Sequence, residues 1–397
     1  MSEFKTIDDL DVAGKRVLVR ADLNVPMQNG KVTDTTRIDR AVPTLSELSK
    51  KGAKVIVISH FGRPKGQIVP EMSLDPVARA LSKSCGLPVA FATDTIGESA
   101  KRTIDGLNNG DIVMLENLRF HASEEANDEI FASKLSNLGD AYVSDAFSCS
   151  HRAHASIETL AQLLPSAAGR LMQAEVESLS GALENPEPPV AAVVGGAKVS
   201  TKMEVLGNLS KKVNVLIIAG GMANTFLFAQ GYDVGKSICE KDMTELAHKI
   251  LADAEESGCE VVLPLDCVVA REFKEGAVSQ TVNLDAIPSE AMMLDVGSAS
   301  IANITAKLEN CKTLVWNGPF GAFEIQPFDK GTNAVAAEVA RLTRAGKLIS
   351  VAGGGDTVAA LAQAGVSEYF SYISTAGGAF LEWMEGKKLP GVEVLRK

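Results

Sequence analysis

One pattern constrains this chain more than any other. Short, continuously apolar runs rich in Val, Ile and Leu recur along it and end at Gly, Asn, Asp or a charged residue. The first half holds RVLVR (16–20), AKVIVIS (53–59), PVAFA (88–92), DIVMLE (111–116) and AYVSDA (141–146). The second half holds VAAVVGG (190–196), VNVLIIAGG (213–221), CEVVLPLD (259–266), KTLVWNGP (312–319), KLISVAGGG (347–355) and YFSYIST (369–375). Runs without apolar–polar alternation are expected of strands covered on both faces. Between them lie stretches with apolar residues at helical spacing, among them 75–85, 242–257 and 331–345. Strand–helix–strand alternation predicts right-handed βαβ units and mainly parallel sheets.

So many strands exceed what one open sheet comfortably holds. A length of 397 residues allows two or three domains. The prediction is an α/β protein of two lobes, each a mainly parallel, doubly wound (Rossmann-like) sheet flanked by helices. The seam falls at ENPEPPV (184–190), where prolines follow a helical stretch over 169–183. A hinge is expected there.

Composition removes several function classes. Lys and Arg number 39 against 50 Asp and Glu, a net charge of −11. That balance argues against a nucleic-acid binder or a membrane-surface protein, which need a basic face. It leaves room for a locally basic site that takes a small anion. Six cysteines are scattered, without CxxC pairs or zinc spacing, as expected of reduced thiols in the cytoplasm. The opening MSEFKTIDDLDVAGKRV lacks the basic and apolar regions of a secretory leader, and no apolar stretch is long enough for a bilayer.

In open α/β sheets ligands bind beyond the carboxyl ends of strands. In the first half those ends carry side-chain charge: Asp22 and Asn24 in RADLNVP, then Arg37, then His60 and Arg63 in SHFGRP, Arg119 in ENLRFH, and Arg152 in DAFSCSHRAH. Arginine presents a permanently charged fork matched to phosphate or carboxylate. Two such cations held ~4 Å apart repel by about 1 kcal/mol in water and about 4 at an effective dielectric of 20. An anionic ligand would relieve that. His151 and His154 have a spacing that could suit a metal, but no third ligand accompanies them.

In the second half the strand ends are glycine-rich. Gly195-Gly196-Ala197-Lys198 leads towards Lys202, a turn that exposes amides to a phosphate. Lys198 and Lys202 are predicted on one helical face. Gly353-Gly354-Gly355-Asp356-Thr357 has the same strand–turn–helix position, with Asp356 suited to a cap or to magnesium on a bound phosphate. Asn317 and Glu324 follow another run, and Glu324 could take ribose hydroxyls. GxxxxGK[ST], GxGxxG and GxSxG are all absent. An anion site in one lobe and a phosphate cradle in the other suit phosphoryl transfer between a small anion and a nucleotide.

VRADLNVP, SHFGRP, LENLRFH, DAFSCSHRAH, GGAKVSTKMEVL, WNGPFGAFE and GGGDT, in that order, resemble the phosphoglycerate kinase family from about Lys15 to the C-terminus. The resemblance implies 1,3-bisphosphoglycerate + MgADP ⇌ 3-phosphoglycerate + MgATP in glycolysis. It implies that Asp22, Asn24, Arg37, His60, Arg63, Arg119 and Arg152 hold the glycerate. Gly196, Lys198, Lys202, Gly297, Asn317, Glu324, Gly354, Gly355, Asp356 and Thr357 would serve the nucleotide, with Asp356 at Mg2+. Arg37 and Lys202 are expected to touch the transferring group, in a direct in-line transfer after hinge closure. The expected division is 1–183 for the glycerate lobe and 184–375 for the nucleotide lobe, with 376–397 returning to the first. A cytoplasmic monomer is expected.

Three positions depart from the family pattern: Thr201 stands where an acid is frequent, Ser298 where Pro is usual, and Ala376 where glycine is common. Two other readings stay open at this point. A nicotinamide dehydrogenase is disfavoured by the missing GxGxxG, and a non-catalytic two-lobe solute-binding protein by the missing leader.

Overall fold

The computed structural model describes residues 4–397. The chain forms two compact units. Unit 1 is the chain up to Glu177 together with Lys388–Lys397, and unit 2 is Ser178–Lys387.

Unit 1 contains β1 (Arg16–Ala21), β2 (Met27–Gln28), β3 (Lys31–Val32), β4 (Lys54–Ile58), β5 (Val89–Ala92), β6 (Ile112–Leu115), β7 (Ala141–Asp145) and β8 (Ser166–Ala168). Six of these make a parallel sheet in the order β5-β6-β4-β1-β7-β8, while β2 and β3 form a small antiparallel pair. The apolar runs are continuous because both faces of the sheet are core. Val17, Val19, Val55, Val57 and Val143 face one layer, which holds Ile38 and Leu45 of the helix Thr36–Lys50 and Val77 and Leu81 of the helix Asp75–Cys85. Leu18, Ile56, Ile58, Val113 and Tyr142 face the other, with Phe131 and Leu135 of the helix Glu129–Ser136. Each fully buried Val, Leu or Ile side chain contributes roughly 1.5–3 kcal/mol.

Unit 2 contains β9 (Val190–Val194), β10 (Val215–Ile218), β11 (Glu260–Val262), β12 (Asp266–Ala270), β13 (Ser279–Asn283), β14 (Met292–Val296), β15 (Thr313–Asn317), β16 (Ile349–Ala352) and β17 (Tyr372–Ile373). Its main sheet is parallel, in the order β11-β10-β9-β15-β16-β17. A separate antiparallel sheet runs β13-β12-β14.

Every apolar run named above contains one of the parallel strands. The antiparallel sheet was not expected, for a physical reason. The run CEVVLPLD breaks at Pro264, so β11 ends before it and the chain then enters a different sheet as β12. The neighbouring β13 is polar and mostly exposed and has no apolar signature. The helices Thr244–Glu256 and Lys330–Arg344 form close to their expected positions. The helix Arg170–Leu183 also forms, and the division between units falls inside it. At the other end the helix Gly377–Met384 belongs to unit 2, where Asn208 Nδ2 donates to Met384 O at 2.7 Å. Only from Lys388 does the chain belong to unit 1, where Gly391 N donates to Ser150 O at 2.9 Å. The returning segment is therefore shorter than 376–397. No helix of the described residues is long and apolar enough to cross a membrane.

Strand order places a crevice in each unit. In unit 1 the connection from β1 leads to β4 on one side and that from β7 leads to β8 on the other, so the strand order reverses between β1 and β7. In unit 2 the same reversal lies between β9 and β15. Such switch points, at the carboxyl ends of strands, are where open α/β sheets take ligands.

Candidate active site

In unit 1 the carboxyl ends of β1, β4 and β7 are tied together by short polar links. Ser59, just after β4, accepts from Leu23 N through its hydroxyl at 3.1 Å and from Leu118 N through its carbonyl at 3.1 Å. Buried Asn117 fixes the loop after β4: its Oδ1 accepts from Phe61 N at 3.0 Å and from Arg119 N at 3.0 Å, and its Nδ2 donates to Phe61 O at 2.8 Å. Asn24 Oδ1 accepts from Gly62 N at 3.0 Å.

On this frame the charged groups converge. Asp22 pairs with Arg37 and accepts from the Ser148 hydroxyl at 2.5 Å. Burial works against its carboxylate, but the Arg37 and Arg20 guanidinium groups and the Ser148 hydroxyl outweigh it, and the carboxyl is held below its usual range. Arg119 is buried, donates to Gly62 O at 2.8 Å and lies 3.1 Å from Glu125. Burial depresses its pKa, with Arg152 and Arg20 adding to the effect against Glu125. Burial and the adjacent Arg20 push His60 well below the ordinary imidazole value, with Arg119 and Arg152 acting in the same sense. His154 is pushed down to about 4, first by burial and then by Arg119, Arg20 and Arg152.

Of the seven expected residues, Asp22, Asn24, Arg37, His60, Arg119 and Arg152 share this region. Arg63 follows Gly62 but is exposed, and among the described residues no hydrogen bond or ion pair holds its side chain. Arg20, the charged end of the run RVLVR, was given no site role from sequence, and it is wholly buried at the end of β1. His121 stands apart, its ring 5.0 Å from that of Phe131. Donor atoms of Asp22, His60 and Cys149 lie within 4.8 Å of one another. The surroundings do not fit a cation: Arg37 holds Asp22, Arg20 sits on His60, and the neighbours are arginines.

In unit 2 the switch point is built from backbone. Gly195 N donates to Asn317 O at 2.8 Å, joining the ends of β9 and β15. Gly318 has φ +108°, and a Cβ there would lie 2.2 Å from Gly195 O, so only glycine allows the two strand ends this close. Lys202 bridges the same ends: its Nζ donates to Gly195 O at 2.5 Å and to the Asn317 side chain. Burial lowers its pKa to about 8, against the pull of Asp356. Asn317 Nδ2 donates to Gly353 O at 2.8 Å, and the Thr357 hydroxyl accepts from Gly318 N at 2.7 Å.

The two lysines do not share a helical face. Lys198 and Lys202 flank a 3-10 turn, Val199–Thr201, and the α-helix starts only at Met203. Lys198 is exposed. Gly354 precedes the helix Gly355–Gln363, and Asp356 lies in its first turn rather than capping it. Gly297 precedes the helix Ser298–Glu309. A Cβ on Gly297 would lie 2.2 Å from the Asp266 carboxylate, so its position serves packing between strand and helix. Ala376, where the family commonly has glycine, is buried ahead of the helix Gly377–Met384.

Beside these groups opens a cavity of about 340 Å³. Gly196, Gly220 and Gly221 form one wall, Met293, Leu294 and Phe273 are apolar, and Glu324 and Asp356 are its exposed acids. The apolar wall comes largely from β14 and the segment after β12, the sheet that sequence reasoning missed. A planar apolar group with a polyanionic tail fits such a cavity: the walls take the ring, and the glycine turns and Lys202 take the charge.

Comparison with known proteins finds relatives along nearly the whole chain. A family model described as phosphoglycerate kinase matches residues 7–387. A curated phosphoglycerate kinase from Methylorubrum extorquens is 60% identical over 397 residues, covering 100% of this chain and 99% of the relative. One from Ruegeria sp. is 62% identical over 393 residues, covering 99% of each. Among solved structures, phosphoglycerate kinase from Coxiella burnetii superposes with a TM-score of 0.93 at 43% identity, covering 99% of this chain and 98% of that one. The Pyrococcus horikoshii enzyme superposes with a TM-score of 0.82 at 29% identity, covering 98% of each chain.

Proposed function

The chain belongs to the phosphoglycerate kinase family, and from that premise we propose that its two strand-end sites divide the reaction: the arginine–histidine cluster of unit 1 takes the glycerate, and the glycine-lined cavity of unit 2 takes the nucleotide. The reaction is ATP + 3-phosphoglycerate ⇌ ADP + 1,3-bisphosphoglycerate, a step of glycolysis. Asp22 and Asn24 orient the glycerate hydroxyl and carboxyl end, while Arg63, Arg119, Arg152 and His60 hold its charge. Arg63, exposed, closes onto the ligand from outside. On the nucleotide side, Gly196, Gly354, Gly355 and Thr357 line the path of the phosphates with Lys198. Glu324 takes ribose hydroxyls. Asn317 and Gly297 hold the loops.

The observation that carries this reading is Lys202. Its ammonium is partly buried at the switch point, and its hydrogen-bond partners are carbonyl and amide oxygens. A desolvated cation without a bonded carboxylate is poised for an anion. Arg37 supplies the matching charge in unit 1; its side chain is 39% exposed, so it can leave Asp22 for a ligand oxygen. Phosphoryl transfer asks for positioning and charge stabilisation more than covalent chemistry. The acyl phosphate's leaving group is a carboxylate, so no strong general base is needed. In-line transfer then follows hinge closure, which excludes water; the chain divides within the helix Arg170–Leu183 and again at Lys388, so any hinge lies there rather than at 184–190.

Kinases of this family use ADP and ATP with Mg2+. Asp356 fits that ion: it is an exposed carboxylate in a helix's first turn, electrostatically coupled to Lys202. One protein carboxylate plus phosphate oxygens is a common Mg2+ environment. When bound, the ion neutralises phosphate charge. The same reading makes the enzyme a cytoplasmic monomer, and its six free cysteines support a reducing compartment.

A coupled assay with 3-phosphoglycerate and MgATP tests the proposal on wild type and Arg37→Ala. Brisk wild-type turnover with a variant slower by on the order of 10³-fold is expected. Undiminished turnover by the variant would move the transfer role to Lys202. A well-folded wild type without turnover would overturn the assignment.

A further inference from the structure

Behind the glycerate cluster runs a buried chain of polar groups that ligand binding does not explain. Glu124 is completely buried, as is Ser156. The two carboxylate oxygens are used separately: Oε1 accepts from the Ser156 hydroxyl at 2.6 Å, and Oε2 accepts from Ser156 N at 3.0 Å. The Ser156 hydroxyl in turn accepts from Arg20 Nε at 2.9 Å. Arg20 Nη1 donates to Ala21 O at 2.6 Å, and its Nη2 lies 3.2 Å from His60 Nδ1. The chain thus reads Glu124–Ser156–Arg20–His60, and every link lies in unit 1.

The chemistry of the last link is one-directional. A guanidinium has donors and no acceptor, and it is charged at any working pH. Nδ1 must therefore accept, which forbids a proton there. The remaining ring nitrogen carries the hydrogen. We propose that the buried Glu124–Ser156–Arg20 chain is a positioning device that locks His60 as the neutral Nε2–H tautomer, so that the imidazole offers a ligand one fixed donor. This rests on the reading that the cluster around His60 takes the glycerate.

The charges facing the ring agree with the geometry. Arg20 of β1, Arg119 after β6 and Arg152 after β7 all oppose a second proton on His60, and only Asp22 favours one. Facing Glu124 are Arg20 and Arg119, which favour its charged form against strong burial. Burial prevails and raises the Glu124 pKa, and what holds Arg20 in place is the hydrogen-bond chain through Ser156. Only a carboxylate can serve here. Both Ser156 donors need an acceptor, and Gln would set its NH2 against one of them. The Ser156 hydroxyl is equally specific, since it must donate to Glu124 and accept from Arg20 at once.

The test is long-range 1H–15N NMR on the full chain with 15N-labelled histidine, recorded without ligand between pH 5.5 and 8. Wild-type His60 should show an unprotonated Nδ1 and a protonated Nε2 throughout. Ser156→Ala removes the bridging hydroxyl while leaving Glu124 its backbone donor. In this variant His60 should mix tautomers and begin to titrate towards pH 6. KM for 3-phosphoglycerate should rise about two- to fivefold, as expected for one weakened neutral hydrogen bond, with kcat changed less. Ser156→Thr, which keeps the hydroxyl, should restore the wild-type spectrum. Glu124→Gln should resemble Ser156→Ala; should it fail to fold, the alanine variant and its threonine rescue still decide. A proton on Nδ1 in the wild type, or an unaltered His60 spectrum in Ser156→Ala, overturns the proposal. Neither result depends on which anion the cluster takes, so the tautomer lock and the glycerate assignment fail separately.

Discussion

At the ends of β1, β4 and β7 the groups offered to a ligand are side chains, most of them cations packed on a polar frame. At the ends of β9 and β15 they are mainly backbone amides, with Lys202 the partly buried cation among them. Both units use the same topological device, a strand-order reversal in a parallel sheet. In the proposed division of the two substrates, they fill it differently because the ligands differ. A small, compact anion has little surface to grip, so recognition must come from charge placed by rigid side chains. A nucleotide brings a ring and an extended phosphate chain, so shape does much of the work. The first site should therefore fail when charge is removed, the second also when backbone geometry is altered.

Removing the two central cations tests that contrast most severely. Lys202→Ala should lower kcat by on the order of 10³-fold, as Arg37→Ala does, since each loses a donor to charge that develops in transfer. The accompanying KM changes should separate. Arg37→Ala should raise KM for 3-phosphoglycerate, and Lys202→Ala should raise KM for MgATP. Both changes falling on one substrate would mean that the units do not divide recognition as argued.

Backbone geometry comes next. Gly318→Ala sets a Cβ 2.2 Å from the Gly195 carbonyl at a φ of +108°, with main chain on both sides. A loss of about 3 kcal/mol or more in unfolding free energy is expected. Gly62 in unit 1 also has positive φ, +59°, but a Cβ there meets only the flexible Met72 side chain at 2.9 Å. Gly62→Ala should cost about 1–2 kcal/mol. Denaturant titrations of both variants compare them directly, and equal losses would remove the claim that unit 2 is the more backbone-bound site.

The parallel sheets, and the gathering of most candidate residues at strand ends, were legible because each rests on local pattern. An apolar run buried on both faces looks the same wherever it sits, and a glycine or arginine after it marks the functional end. What escaped notice depends on partners distant in sequence. Arg20 and Glu124 are interior polar groups satisfied through Ser156, and nothing local distinguishes Glu124 from an exposed helix acid. The wall formed by β14 belongs to a sheet whose outer strand is polar. The first turn after β9 was misjudged as α-helix because spacing cannot tell a 3-10 turn from an α-helical one over four residues.

Lys202 also gives the contrast a pH signature. Its folded pKa, lowered by burial to about 8, means the ammonium needed for phosphate is lost as pH rises through that value. The kcat/KM for MgATP should fall above pH 8, by up to about tenfold per unit. Lys202→Arg keeps the charge and should flatten that limb. With MgATP saturating, so that its phosphates hold the proton on Lys202, kcat/KM for 3-phosphoglycerate should fall much less between pH 7 and 9, since guanidinium groups keep their charge at any working pH.

The smallest effect separates two buried carboxylates that look alike. Asp145, at the end of β7, and Asp295, in β14, are both pushed up to about 7, chiefly by burial and against the amides they accept from. For an acid whose folded pKa exceeds the unfolded value near 4, the folded state keeps a proton that the unfolded state loses. Each therefore lowers stability progressively as pH rises from about 4 to 7 and holds that cost above it. Neutralising the group should remove the slope, but the hydrogen bonds differ. Asp145 Oδ1 alone accepts from Leu171 N at 2.9 Å and Met172 N at 3.1 Å, while Oδ2 is buried without a partner among the described residues. Asp145→Asn can keep both amides on Oδ1 and turn its NH2 towards the Thr44 hydroxyl, which can accept as well as donate. Asp295 uses both oxygens, Oδ1 for Val296 N at 2.8 Å and Oδ2 for Gly331 N at 2.7 Å. Asp295→Asn must turn an NH2 towards one of those amides and strand it, a cost of about 1–3 kcal/mol. Thermal unfolding between pH 5 and 8 should therefore show Asp145→Asn matching wild type at pH 5 and exceeding it at pH 8. Asp295→Asn should melt below wild type at pH 5 and close part of the gap by pH 8. If Asp145→Asn is the less stable variant at pH 8, the unpartnered oxygen is not where the cost of burying that carboxylate lies.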